Sequence, residues 1–425
     1  MPSTNGKPWY RRLGPGLITA CVVIGPGSIM TSTSVGANDG YSMLWVVAVA
    51  VAFMVLFTTL GAKLGVAAEH SPCELLRRRV GKWLSVCVGL AVFCIAAGFQ
   101  SGNNIGAAAA FEAFVESKTL MVFLLVAFNG LAISFLFLFR DVYKMLERVM
   151  ATFVGVMLVC FVVNFFFLSP DPDAMLGGFV PSLGKSGEIL PVLGLVGTTF
   201  VVAAAFYQAY LVRQKGWTKE DLSAGLLDAR IGIGITFAIT VMLMSTAAAG
   251  LYTGEPVELE NPVEVATTLE VTFGGSAKLI FCVGLFSAAY SSFLINSMIG
   301  GFLAADGLGL ESCPDALAPK LLTASALLIG MLVGLAVLLL DFEPAPTLIV
   351  AQALTVVVSP LVAGALLWLT SSREVMGDAV NGLGTIVIGA IGLVLLIVMA
   401  GKTALVDLPQ KVNEYLALPA EVRQR

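Results

Sequence analysis

Ile24-Gly25-Pro26-Gly27-Ser28 interrupts the first long apolar run of the chain. Proline removes a backbone donor and clashes with the preceding turn, and the flanking glycines lose the most conformational freedom in a helix. A helix passing through this point is predicted to break. At membrane depth such a break persists only where the freed backbone groups are buried in protein or line a cavity. Discontinuous helices near the bilayer midplane are how many secondary transporters build substrate sites. The residues around the break are therefore the first candidates for contact with a cargo.

Working outward, the composition sets the class. Of 425 residues 58% are hydrophobic and 12% charged, with a mean hydropathy of +0.92, far from the balance of soluble domains. This is the composition of a polytopic, all-α membrane protein. Eleven segments run at least 20 residues without Asp, Glu, Lys or Arg: 13–38, 40–62, 83–111, 120–139, 149–169, 189–212, 231–254, 279–305, 321–340, 344–372 and 379–401. Each is long enough to cross the hydrocarbon as a helix. The N-terminal run lacks a basic region followed by a small-residue cleavage pattern, so the first segment is expected to remain as a helix. The seven cysteines fall mostly inside apolar runs without paired spacing and read as packing residues.

Loop charge orients the chain. Lys and Arg concentrate on alternate loops, including Lys7, Arg11, Arg12, Arg77, Arg78, Arg79, Arg140, Lys144 and Arg213. The positive-inside bias places the N-terminus in the cytoplasm and the C-terminus opposite, in an integral membrane protein expected in the cell (inner) membrane. The stretch 252–276 agrees, with Glu255, Glu258, Glu260, Glu264 and Glu270 and no base before Lys278. Ser71-Pro72-Cys73-Glu74 carries a Ser-x-x-Glu capping signature with proline at the first helical position, predicting a short cytoplasmic helix to Val80. Its three arginines suit contact with anionic lipid. His70, the only histidine, precedes this cap and reads as a surface residue. The tail after Lys402 reads equally as an interfacial helix or as disordered chain.

A resemblance covers nearly the whole length. Gly14-Pro15-Gly16-Leu17, the broken stretch, and Gly40-Tyr41-Ser42-Met43-Leu44-Trp45 resemble the first two helices of the NRAMP family of metal-ion transporters. Ser287-Ala288-Ala289-Tyr290-Ser291-Ser292 with Gly300-Gly301-Phe302 resembles its eighth helix. Ala351-Gln352, Ser359-Pro360-Leu361 and Leu369 to Gly377 resemble its tenth helix and exit. The resemblance implies a LeuT-type fold: five helices repeated in inverted topology, plus one extra helix. On this chain that is a single transmembrane domain over 1–402, with repeats at about 13–169 and 189–372, the extra helix at 379–401 and a tail at 403–425. It also implies that helix 6 unwinds around 197–205, although no proline lies there.

The departures from the family pattern fall on its chemistry. The family's first-helix motif is Asp-Pro-Gly-Asn, and its carboxylate and amide positions are here Gly25 and Ser28. Its helix 6 Ala-Thr-Val-Met falls on Thr198 to Val201, so the soft thioether ligand is replaced by Val201. Gln352 keeps the family's helix 10 position. The helix 3 Asp and Glu of the proton path fall within Gln100-Ser101-Gly102-Asn103, the paired helix 6 histidines on Ala203 and Gln208, and a helix 9 arginine on Ala324. No acid, Lys, Arg or histidine remains inside the charge-free segments, which argues against proton coupling. The implied cargo-binding set is Gly25, Ser28, Thr198, Val201 and Gln352, with Ser28, Thr198 and Gln352 as the oxygens for a metal, directly or through water. Gln100, Asn103, Thr199 and Gln208 are expected to line the pathway, with Asn104, Tyr207 and Asn296 as further lining.

Two kinds of cargo fit such a site. One is a hard divalent cation such as Mg²⁺, which keeps its waters and needs no thioether. The other is a neutral or zwitterionic organic solute on the same scaffold, since a fold does not fix its cargo. A transport-dead sensor is a third reading. The cation is favoured on the resemblance. No Walker loop, dinucleotide fingerprint, metal cluster or Ser/His/Asp set is present, so the expectation is no enzyme, no cofactor and no nucleic-acid partner. Its partners are the bilayer and a small ion or molecule.

Overall fold

The computed structural model describes residues 22–410, except 113, 139–141, 183–189, 256, 258, 260–274, 314–315, 341, 343 and 408. Among the described residues every regular element is helical, in the order α1 (Pro26–Asp39), α2 (Leu44–Ala67), α3 (Pro72–Arg79), α4 (Lys82–Glu112), α5 (Lys118–Leu138), α6 (Val142–Leu168), α7 (Pro172–Gly177), α8 (Leu190–Thr199), α9 (Val202–Gln214), α10 (Leu222–Gly250), α11 (Gly275–Leu308), α12 (Leu317–Leu339), α13 (Pro344–Ser371), α14 (Arg373–Met376) and α15 (Leu383–Lys402). Eight helices are long and apolar enough to span a membrane, or nine with α13 and the following turn, bent by 67°, taken as one. The expected count of eleven is not reached among the described residues. The first span begins outside them, and the described apolar part of α6, Thr152–Leu168, is short.

Both expected breaks are present. Gly25 is extended (φ −139°, ψ 178°) and α1 starts at Pro26, the helix position where a missing N–H costs nothing. The second break separates α8 from α9 at Phe200 and Val201, with Val201 outside helical geometry at φ −80°, ψ 86°. No proline is needed there. Thr198, Thr199, Val201 and Val202 crowd the helix with β-branched side chains, and the Thr198 hydroxyl donates back to the Leu195 carbonyl at 3.2 Å. The Phe200 ring then packs on Phe57 (5.1 Å, edge-on) and Phe53 (5.9 Å), which fixes the break against α2.

Small residues pair the helices closely. A Cβ on Gly61 or Gly65 of α2 would meet the backbone of Ala205 or Ala209, so α2 and α9 are locked together. Gly89 and Gly307 touch across α4 and α11 in the same way. Such contacts replace the hydrophobic driving force that is lacking between helices in lipid. The short α3 forms as expected: the Ser71 hydroxyl accepts the Glu74 N–H at 3.3 Å, and the helix runs to Arg79 with Val80 at its end. Its arginines are engaged by protein. Arg78 pairs with Glu74 at 2.7 Å, Arg79 pairs with Glu374, and Arg77 reaches the end of α11.

Candidate functional site

The break before α1 satisfies itself. The Gly25 N–H donates to the Ser28 hydroxyl at 3.1 Å, and that hydroxyl lies 3.0 Å from the Val23 carbonyl and 3.1 Å from that of Gly25 as acceptors for its proton. The Asn296 amide of α11 donates to the Val22 carbonyl at 3.0 Å and to the Ser292 hydroxyl at 2.8 Å. Helix α4 closes the other side. The Pro26 ring occupies the space where a side chain on Gly106 would sit, and a Cβ on Gly25 would lie 2.9 Å from Ser292 Oγ and 3.0 Å from Asn103 Oδ1. The space beside Gly25, where the resemblance expects a carboxylate, is thus filled by neighbouring polar side chains.

Other expected lining residues are held within the protein as well. Gln100 Nε2 donates to the Phe293 carbonyl at 2.9 Å, tying α4 to α11, and Asn103 Nδ2 reaches Gln100 Oε1 at 3.5 Å. Asn104 Nδ2 donates to the Gln100 carbonyl at 2.8 Å and Asn129 Nδ2 to Asn104 Oδ1 at 2.6 Å. The Thr198 and Thr31 hydroxyls face each other at 3.4 Å, joining α8 to α1.

Two expected residues stand apart. Thr199 Oγ1, at the end of α8, and Gln208 Nε2, in α9, are buried and have no protein partner. Thr199 is 1% exposed and so is Gln208. A buried polar atom left unpaired costs about 1–3 kcal/mol, so these two atoms call for a partner that the protein does not supply. Val201 is buried at the N-terminus of α9. Gln352 lies in α13, but its side chain is outside the described residues.

The helices extend beyond the charge-free segments, and this revises the charge inventory. Asp39 closes α1, Asp228 lies in the first turns of α10, and Asp306 lies near the end of α11, all buried. The reason is that a buried helix continues past the hydrocarbon-length window once tertiary contacts satisfy its ends. Asp39 sits at the opposite end of α1 from the Gly25 break. Reasoning from sequence also passed over Ser292, Thr31 and Gly106. Ser292 and Asn296 are four residues apart on α11, which was the available signal that they share a face.

Residues 16–405 match the model of the family described as Natural resistance-associated macrophage protein-like, Nramp. The chain belongs to the Nramp family. A relative from Pectobacterium carotovorum, named divalent metal cation transporter MntH, is 27% identical over 407 residues, covering 95% of this chain and 96% of its own. A crystal structure of a manganese transporter from Eremococcus coleocola superposes with a TM-score of 0.80 at 17% identity, covering 100% of this chain and 92% of that one. A Na⁺-coupled sialic acid symporter superposes at 0.61 and 12% identity, over 93% and 89% of the two chains. The fold of this Nramp member is accordingly of the LeuT type, with broken helices at α1 and at α8–α9 as in the resemblance.

Proposed function

We propose that this Nramp protein moves a hard divalent cation, such as Mg²⁺, that keeps part of its water shell, and that it does so without coupling to protons. Relatives named as divalent metal cation transporters support a transported metal rather than a catalysed reaction. The observation that carries the finer reading is the unpartnered hydroxyl at the second break, Thr199 Oγ1, an oxygen that can face a cation or its water. Thr199 ends α8, and the C-terminus of a helix carries the negative end of its dipole, which favours a cation. The N-terminus of α1 carries the opposite sign and its backbone is already bonded by Ser28 and Asn296. The cargo is therefore assigned to the α8 side, with Thr198 one residue before Thr199. A neutral amide or hydroxyl set matches an ion that retains water and gives a bare soft metal no thiolate, thioether or carboxylate. A proton relay needs groups that change charge, and none sits at either break among the described residues.

The protein is placed as an integral membrane protein with the N-terminus and α3 on the cytoplasmic side, and with two inverted repeats at about 13–169 and 189–372. Purified protein in liposomes tests the reading: Mg²⁺ should enter faster than in protein-free vesicles with no change in interior pH. An organic solute is the second reading, supported by the neutral lining and by the likeness to a sialic acid symporter. Entry of a zwitterion while neither Mg²⁺ nor Mn²⁺ enters would establish it instead. A protein that moves none of these would be a sensor.

A further inference from the structure

The far end of α9 carries a second polar cluster that the breaks do not use. Tyr210 lies eight residues beyond Val202, about 12 Å along the helix at 1.5 Å per residue. Its hydroxyl donates to Asp306 Oδ2 of α11 at 2.5 Å and accepts the Cys73 N–H of α3 at 3.3 Å. The other carboxylate oxygen, Oδ1, accepts the Ser71 hydroxyl at 2.9 Å. One turn back, Tyr207 packs on Phe302 at 6.0 Å, so the same seam between α9 and α11 has an aromatic rung and a hydrogen-bonded one. A cavity of about 500 Å³ opens beside it, lined by Ser71, Arg77, Tyr210, Arg213, Asp306 and Glu311 among others.

The two sides of this seam are each rigid. Gly61 and Gly65 lock α2 to α9, and Arg213 at the end of α9 donates to the carbonyls of Ala68, Glu69 and His70 just after α2. On the other side Gly89 and Gly307 lock α4 to α11, and Arg77 Nη2 caps α11 through the carbonyls of Asp306 (2.5 Å) and Gly307 (3.3 Å). Gly309, at φ +81°, leaves room for that guanidinium. Within each pair the backbones touch. Between them, among the described residues, the carboxylate of Asp306 accepts from the Tyr210 phenol and from the Ser71 hydroxyl.

We propose that the Tyr210–Asp306 bond, completed by Ser71 and the Cys73 amide, is a latch that holds the α3 face of the protein closed. It releases when α9 swings about its break at Phe200–Val201. The latch joins the α2–α9 pair to the α4–α11 pair, so a lever motion at the cargo end must break it at the other. A bond to a charged acceptor is among the stronger hydrogen bonds, yet it is lost by a small displacement, whereas interdigitated glycine contacts resist it. Cys73 lies beneath the latch at 0% exposure and reports its state.

The proposal rests on a transporter reading but not on the identity of the cargo, and its test reads neither flux nor cargo. Chains retaining Cys73 as the sole cysteine are placed in membrane vesicles with the α3 face outward and treated with a membrane-impermeant maleimide. Tyr210→Phe keeps the ring and removes both hydroxyl bonds, and Asp306→Asn keeps the shape and removes the charge. Each should raise the labelling rate at Cys73 by about tenfold or more, the effect of losing a buried bond to a charged group. A matching chain retaining only Cys282, buried within α11, should label no faster with either substitution. Unchanged labelling of Cys73 in both variants overturns the latch. So does an equal rise at Cys282, which marks general loosening.

Discussion

Gly25 is the residue at which family chemistry and local packing meet. A Cβ there would press on Ser292 Oγ and Asn103 Oδ1, so Gly25→Ala should destabilise the protein by about 1–3 kcal/mol, read as a lower melting temperature in detergent. An acid placed there would need more room still. Ser28→Ala removes the third-position hydroxyl that reaches back to the Gly25 N–H and should cost about 0.5–1.5 kcal/mol in the same assay, the net worth of one hydrogen bond. Thr199→Val should behave in the opposite way. It removes a hydroxyl with no protein partner, so melting should hold or rise while cargo uptake falls. If uptake is unchanged, Thr199 is only packing. Cys73 adds a pH test. Burial, and then the neighbouring Asp306 charge, push its thiol far above the ordinary value of about 8.5. Its contribution to stability is thus full below the ordinary thiol range and is lost as pH rises past it, because the unfolded thiol ionises first. Maleimide labelling of Cys73 should stay flat between pH 7 and 9, on the order of the blank.

The helices show where the sequence was legible. Gly25-Pro26 announces its break because proline and glycine act locally, and Ser71-Pro72-Cys73-Glu74 announces α3 for the same reason. The α8–α9 break carries no such punctuation. It depends on where the Phe200 ring packs against α2, a tertiary contact, and only the family resemblance implied an unwinding around 197–205. The closure of the first break is equally non-local, since Asn296 is 274 residues away from the carbonyl it binds. Buried acids escaped the charge count because helix ends outrun a window of apolar residues, as at Asp306. Pairing by glycine makes its own prediction. Gly61→Leu should prevent α2 from seating on Ala205 and abolish the folded, monodisperse fraction in size-exclusion chromatography, whereas Gly130→Leu, with open space around its Cβ position, should not.

Taken together, two broken helices, a break at α1 bonded to its own surroundings and an unpartnered Thr199 hydroxyl at the second break describe an Nramp scaffold with its own local chemistry. The family match spans residues 16–405, so the scaffold is shared with relatives named as transporters of divalent metals, while the resemblance expects the family's carboxylate, thioether and proton-path positions at Gly25, Val201, Gln100 to Asn103, Ala203 and Gln208. Such a molecule should carry a cation by its water and by neutral oxygens, and should be indifferent to a proton gradient. The most direct measurement is Mg²⁺ uptake into liposomes loaded with a pH indicator, with and without an imposed pH gradient. The account predicts uptake above protein-free vesicles, unaltered by the gradient and without interior acidification. Absence of uptake of both Mg²⁺ and Mn²⁺, or uptake that acidifies the lumen in step with the metal, would contradict it.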